Sequence, residues 1–120
     1  MEITRRVLVF DTADLEAESG FWSALLGGTV DKDDDWHRLH VDGEYVLAFQ
    51  LAPDHVRPEW PDGQPQQLHL DLEIADIRTA HAEALEVGAR LLQAADDLDA
   101  ASGFQVYADP SGHPFCLCWG

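Results

Sequence analysis

The chain predicts an α+β fold built from two tandem βαβββ modules, and three observations carry the prediction. A strand-like run, a capping aspartate, a helical apolar pattern and a glycine stop occur in that order twice, at 3–28 and at 68–88. Each is followed by short runs rich in β-branched and aromatic residues, the pattern of strands. A displacement of 62 residues lays Val7 on His69, Leu8 on Leu70, Ala13 on Ala75 and Asp14 on Asp76. An internal duplication accounts for all three.

In the first module, 3–11 alternates enough for a strand. Asp14 reads as an N-cap, with Glu16 and Glu18 near the positive end of a helix dipole. Leu15, Trp22 and Leu26, with Phe21 and Leu25 beside them, form one helical face, and Gly27-Gly28 stops it. Strands follow at about 29–31, at 36–41 and, after the Asp42-Gly43 turn, at 45–52. Residues 53–66, with prolines at 53, 58, 61 and 65, read as a linker. In the second module, 68–74 is a strand and Asp76 caps a helix whose face is Ile77, Ala80, Ala84 and Leu85. Gly88 ends that helix, and 89–93, 104–108 and 114–119 are strands, with a turn at Asp109-Pro110-Ser111-Gly112 before the last. The predicted organisation is a single domain over 1–120: module 1 at about 1–52, linker 53–66, module 2 at about 67–120. A βαβββ unit buries one face of its sheet under its helix. Two such units are expected to curve their other faces around a shared cavity, where a ligand would bind.

Composition narrows the function classes. The chain has 120 residues, 46% of them hydrophobic, enough for a core without staples. Asp plus Glu number 23 against 7 Lys plus Arg, a net charge of −16. That field repels nucleic acid and anionic membranes and attracts small cations. The N-terminus lacks the long apolar stretch of a signal peptide and no run would span a bilayer, so a cytoplasmic protein is expected. Cys116 and Cys118 stand two apart in one strand, poorly placed for a disulfide, and read as thiols of a reducing compartment. No Gly-rich phosphate loop, Ser-His-Asp ordering or nucleotide fingerprint occurs.

The segments DTADLEAESGFWSALLGG at 11–28, LAFQ at 47–50, LHLDLEIADIRTAHAEALEVGAR at 68–90 and ADPSGHPFCL at 108–117 resemble the vicinal oxygen chelate superfamily. That is the glyoxalase, bleomycin-resistance and extradiol-dioxygenase type, and the closest likeness is to its small glyoxalase-like group. The resemblance covers essentially the whole chain. It implies the glyoxalase/bleomycin-resistance fold, a homodimer, and a four-ligand metal site drawn from the first and last strands of each module, commonly two His and two Glu. Carried over by position, the four places hold Val7, Gln50, His69 and Cys116, with Gln50 chosen by superposing AFQLA on PFCLC. No carboxylate stands at any of them. A hard divalent metal lacks its oxygen donors, and zinc or nickel would find only His69, Cys116 and a weak amide. No cofactor is therefore expected.

Asp71 and Glu73 share the strand face of His69 and would line a wet cavity or meet a cation. Trp36, Arg38 and His40 share a face of a third strand and join the ligand-binding candidates Gln50, His69, Asp71, Glu73 and Cys116 if that face turns inward. His69 is the candidate catalytic base. Cys116 lacks an evident activating group, Trp22 reads as core, and Asp33, Asp34 and Asp35 read as a solvated turn. Trp60 would either cover the cavity mouth or pack on the prolines. Three functions stay open. One is metal-free binding of a small, cationic or aromatic molecule. Another is a lyase, isomerase or dioxygenase-like enzyme using His69. The third is partner binding without catalysis.

Overall fold

Two aspartates start the two helices. Asp14 is extended, with φ −136° and ψ 92°, and its carboxylate accepts from the Ala17 amide to open helix α1, Leu15–Leu26. Asp76, with φ −136° and ψ 107°, accepts from the Arg78 amide and opens α2, Ile77–Glu86. Both caps satisfy amides that the first helical turn leaves without partners. The computed structural model describes residues 1–120 and divides into the units Met1–His55 and Val56–Gly120.

The first unit holds β1 (Leu8–Thr12), β2 (Thr29–Lys32), β3 (Trp36–Val41) and β4 (Glu44–Leu51) in the order β1-β4-β3-β2. The second holds β5 (Leu70–Glu73), β6 (Arg90–Gln93), β7 (Gly103–Ala108) and β8 (Pro114–Trp119) in the order β5-β8-β7-β6. In each sheet the first strand runs parallel to the last and the other pairs are antiparallel. A parallel pair needs a crossover, and the capped helix belongs to it. The eight strands and two helices are the two βαβββ modules expected.

Two strands begin later than their alternation suggests. The β1 ladder opens at Leu8 paired with Leu47, and the β5 ladder at Leu70 paired with Phe115. Ile3–Val7 and Leu68–His69 alternate but lie before the first paired residues of their ladders. Residues 52–69 hold no helix or strand, and those from Val56 onward belong to the second unit. The Arg57 guanidinium donates to the Pro110 carbonyl. A Cβ on Gly112, whose φ is +88°, would meet Arg57 at 3.1 Å and the Pro58 carbonyl at 3.2 Å. That turn is organised by buried Asp109, whose carboxylate accepts from the amides of Ser111 at 3.0 Å and His113 at 2.9 Å. Trp60 is half-buried.

The two cores are filled differently. In the first, Trp22 is 0% exposed and meets Phe10 and Phe21 edge-on at 5.3 and 5.2 Å. Its Nε1 donates to Glu18 at 3.0 Å. Glu18 stands in the first turn as its charge suits, and it is buried as an acceptor. The repeat puts Ala84, also buried, where Trp22 stands. Aromatic bulk comes from the strands instead, where Tyr107 stacks on Phe115 at 5.5 Å. Leu85, expected on the buried face of α2, is 43% exposed. No helix is long and apolar enough to cross a membrane.

Candidate functional site

Strand alternation sorts the second sheet into two faces. Tyr107 bonds His81 of α2 and stacks on Phe115, which fixes their face as the helix side. The register sets Asp71 beside Cys116 and Cys116 beside Val106, then Glu73 beside Cys118 and Cys118 beside Phe104. Asp71, Glu73, Val106, Phe104 and both cysteines therefore lie on the far side. They form two parallel rows across β5, β8 and β7, each pairing an acid with a thiol and an apolar side chain. Val106, Phe104 and Cys118 are the members that sequence reasoning missed. Stepping two residues from Cys116 along its strand would have found Cys118, and only the ladder finds Phe104.

His69 joins this face from the residue just before β5. Its Nε2 lies 3.4 Å from Asp71 Oδ1, with the two side chains 46% and 55% exposed. The candidate donor atoms of His69, Asp71 and Cys116 all lie within 4.8 Å of one another. Cys116 is a buried free thiol. Burial and then the Asp71 carboxylate, which accepts its S–H, push its pKa up to about 12. Burial likewise raises Cys118, helped by Asp71 and Glu73. Neither thiol is an activated nucleophile at neutral pH, because the thiolate is the reactive form. The face offers fixed negative charge beside an imidazole and an exposed aromatic ring, the means of holding a cation.

The remaining candidates sit on the sheet of the first unit. Gln50 pairs with Asp11 and with Trp36, and Trp36, Arg38 and His40 do share one face. That face is self-satisfied. Arg38 bonds Asp33 at 2.9 Å, His40 Nδ1 lies 3.6 Å from Asp31, and Trp36 Nε1 donates to the Tyr45 hydroxyl at 3.4 Å. Arg5 stacks over the Tyr45 ring at 5.5 Å. Asp33 is accordingly an ion-pair partner and not merely part of a solvated turn.

The ladders also revise the match between the modules. Val9 pairs with Ala48 and its repeat partner Asp71 pairs with Cys116. Ala48 therefore stands where Cys116 stands, and Gln50 where Cys118 stands. Phe49 and Phe115 both point at the helix side, Phe49 against Phe10 at 6.0 Å, but they are two residues apart in the repeat. Aligning them misplaced Gln50. Of the four positions implied for a metal, Val7 and Ala48 offer no donor atom and Cys116 holds its proton firmly. Such a set does not fit Mg²⁺ or Mn²⁺, which require oxygen ligands.

Comparison with known proteins follows this geometry. The model of a family described as "Glyoxalase-like domain" matches residues 7–118. A glyoxalase-related enzyme from Fulvimarina pelagi is 20% identical with a TM-score of 0.69, over 98% of this chain and 89% of that one. A glyoxalase/bleomycin resistance protein/dioxygenase family enzyme from Burkholderia phytofirmans PsJN is 17% identical with a TM-score of 0.69, over 94% and 95%. The fosfomycin resistance protein FosX of Listeria monocytogenes is 10% identical with a TM-score of 0.75, over 100% and 93%. No curated protein matches. At these identities the solved structures share the fold.

Proposed function

We propose, since the chain belongs to the glyoxalase-like domain family, that it binds a small organic cation on the far face of the second sheet. Binding requires no metal at Val7, Gln50, His69 and Cys116, the places where the resemblance implies one and where donors are lacking. The observation that carries this reading is the pair of rows in register, Asp71–Cys116–Val106 and Glu73–Cys118–Phe104. Strands about 4.8 Å apart set each carboxylate roughly 10 Å from its apolar partner, the span of an aromatic ring bearing an amine. Phe104 is 51% exposed and Asp71 and Glu73 are exposed as well, so a ligand reaches all three. The net charge of −16 steers cations toward the protein and repels anions. We take the working unit to be a cytoplasmic homodimer, as the resemblance implies.

Thermal-shift and calorimetric titration with aromatic amines and quaternary ammonium compounds, in chelator and low salt, tests the reading. Stabilisation by at least one compound is expected, weakened by salt and abolished in Asp71→Asn/Glu73→Gln. No stabilisation by any of them would overturn it.

A second reading rests on the His69–Asp71 contact at 3.4 Å. A carboxylate beside one imidazole nitrogen orients the ring and leaves the other nitrogen free to take a proton. A lyase or isomerase would use it so. Turnover of a thiol–ketoaldehyde adduct, lost in His69→Ala, would favour catalysis over binding alone.

A further inference from the structure

Three side chains between α2 and the second sheet form a relay that ends on a loop, all within the second unit. A backbone N–H only donates, so the Ala95 amide, at 3.1 Å, fixes the carboxamide oxygen of Gln105 toward the loop. The Gln105 nitrogen then points the other way and donates to the Tyr107 hydroxyl at 2.7 Å. That hydroxyl sends its own proton to His81 Nδ1 at 2.9 Å, which must accept, so the neutral ring carries its proton on Nε2. Gln105 and Tyr107 are buried, so water does not replace a lost partner. Burial also raises the Tyr107 pKa, which keeps the hydroxyl a donor.

His81 is half-buried, and histidine is the side chain type that changes charge near neutral pH. A protonated ring donates from both nitrogens, and Nδ1 then meets the Tyr107 hydroxyl as a second donor. Within this cluster the Tyr107 proton finds an acceptor only when the Gln105 carboxamide turns over and offers its oxygen. The turned amide sets its nitrogen against the Ala95 N–H, donor against donor, and the Ala95 hydrogen bond is lost. The segment released is the first half of the loop 94–102 between β6 and β7. Its second half has other ties, since Trp119 Nε1 donates to the Ala100 carbonyl at 2.9 Å and Arg78 donates to Asp99 at 2.9 Å. The loop walls a cavity of about 310 Å³ together with Gln93 and Phe104. From the sheet, Tyr107 is the titratable group that faces His81, while Asp71, Glu73, Arg90, Cys116 and Cys118 lie on the far side. On α2 itself Arg78, one turn earlier, is engaged by Asp99 of the loop. The first module has no such relay. Ser19 faces His37 Nδ1 there at 2.8 Å, and a serine hydroxyl donates or accepts as the ring requires.

We infer that His81, Tyr107 and Gln105 form a proton-operated latch: the neutral imidazole holds the Ala95 end of loop 94–102 against β7, and its protonation releases that end and opens the cavity. The latch borders the proposed binding face at Phe104 but does not rest on its organic ligand.

The test is amide hydrogen exchange by NMR on the full chain, with the His81 ring followed by its own resonances in the same samples. The protection factor of the Ala95 amide should fall on the order of tenfold as His81 takes up its proton, with a shared midpoint. Amides of the β7–β8 ladder should change by less than about twofold. In His81→Asn a side-chain oxygen stands near the place of Nδ1 and accepts at every pH, so Ala95 stays protected throughout. In Gln105→Met the Ala95 amide is unprotected at every pH. Ala95 protection that stays level through the His81 titration in wild type, or an equal fall in His81→Asn, would overturn the latch. If Gln105→Met does not fold, the wild type and His81→Asn decide.

Discussion

The two modules repeat one backbone and diverge in what their side chains do with it. In the first, the helix supplies the bulk through Trp22, which Phe10 meets edge-on, and Phe49 packs on Phe10 in turn. In the second, Ala84 leaves room that Tyr107 and Phe115 fill from the strands. A polar tie from the same helical position reaches the third strand in both cases. Ser19 bonds His37 at 2.8 Å, and its repeat partner His81 bonds Tyr107 at 2.9 Å, with hydroxyl and imidazole exchanged. The far faces diverge most. Val7, Val9 and Ala48 in one module stand against His69, Asp71 and Cys116 in the other. A duplicated unit needs only one equipped face, so one copy can specialise for scaffolding while the other collects donors.

The sharpest break in this comparison is Trp22→Ala against a core change in the second module. Removing Trp22 should cost about 3–5 kcal/mol, because it empties a fully buried site and strips Glu18 of an indole donor. Ala84→Gly should cost about 1 kcal/mol. Urea denaturation of both variants checks the ordering, and equal losses would contradict the contrast between helix-filled and strand-filled cores.

The caps give a smaller effect with a pH signature. Asp14 accepts from Ala17, while Asp76 accepts from the Arg78 amide at 3.0 Å and from the Thr79 hydroxyl at 2.7 Å. The Thr79 hydrogen bond, then that of Arg78, holds the Asp76 carboxyl below its ordinary value of 3.8. The contribution of Asp76 is therefore fully present above that value and is lost as pH falls through the depressed folded pKa. Asp76→Ala should lower the melting temperature more than Asp14→Ala at pH 7, and the gap should close in acid. A gap that persists at pH 2 would show that the Asp76 cap acts through something other than its charge.

The smallest effect is expected on the far face of the second sheet. His69→Ala and Glu73→Gln should leave stability within about 0.5 kcal/mol of wild type, since both residues are exposed. Differential scanning calorimetry decides whether the face is kept for ligands or for folding. A large loss would assign it to folding.

Much of the fold was legible because its signals are local. The Asp14 and Asp76 caps and the Gly27 and Gly88 stops depend on neighbours a few residues away, and each does what its spacing implies. The repeat of 62 residues between Leu8 and Leu70 made the two modules visible, and period-two alternation placed His69, Asp71 and Glu73 on one face of their strand, with Cys116 added by the position that the resemblance implies. Where local signals misled, a partner distant in sequence decided. Ile3–Val7 alternates, yet the β1 ladder opens only at Leu8. His81, absent from any apolar reading of α2, is held by a tyrosine 26 residues away.

By itself, then, the amino-acid order determined the α+β class, the duplication, the caps and the acidic character of the chain, all properties of short segments or of composition. Only the tertiary structure decided which residues of β4 and β8 correspond. Register depends on which backbone groups meet across strands, and a slip of two residues preserves every side-chain face. For that reason Gln50 looked equivalent to Cys116 along the chain, and only the ladder shows that Ala48 holds the place.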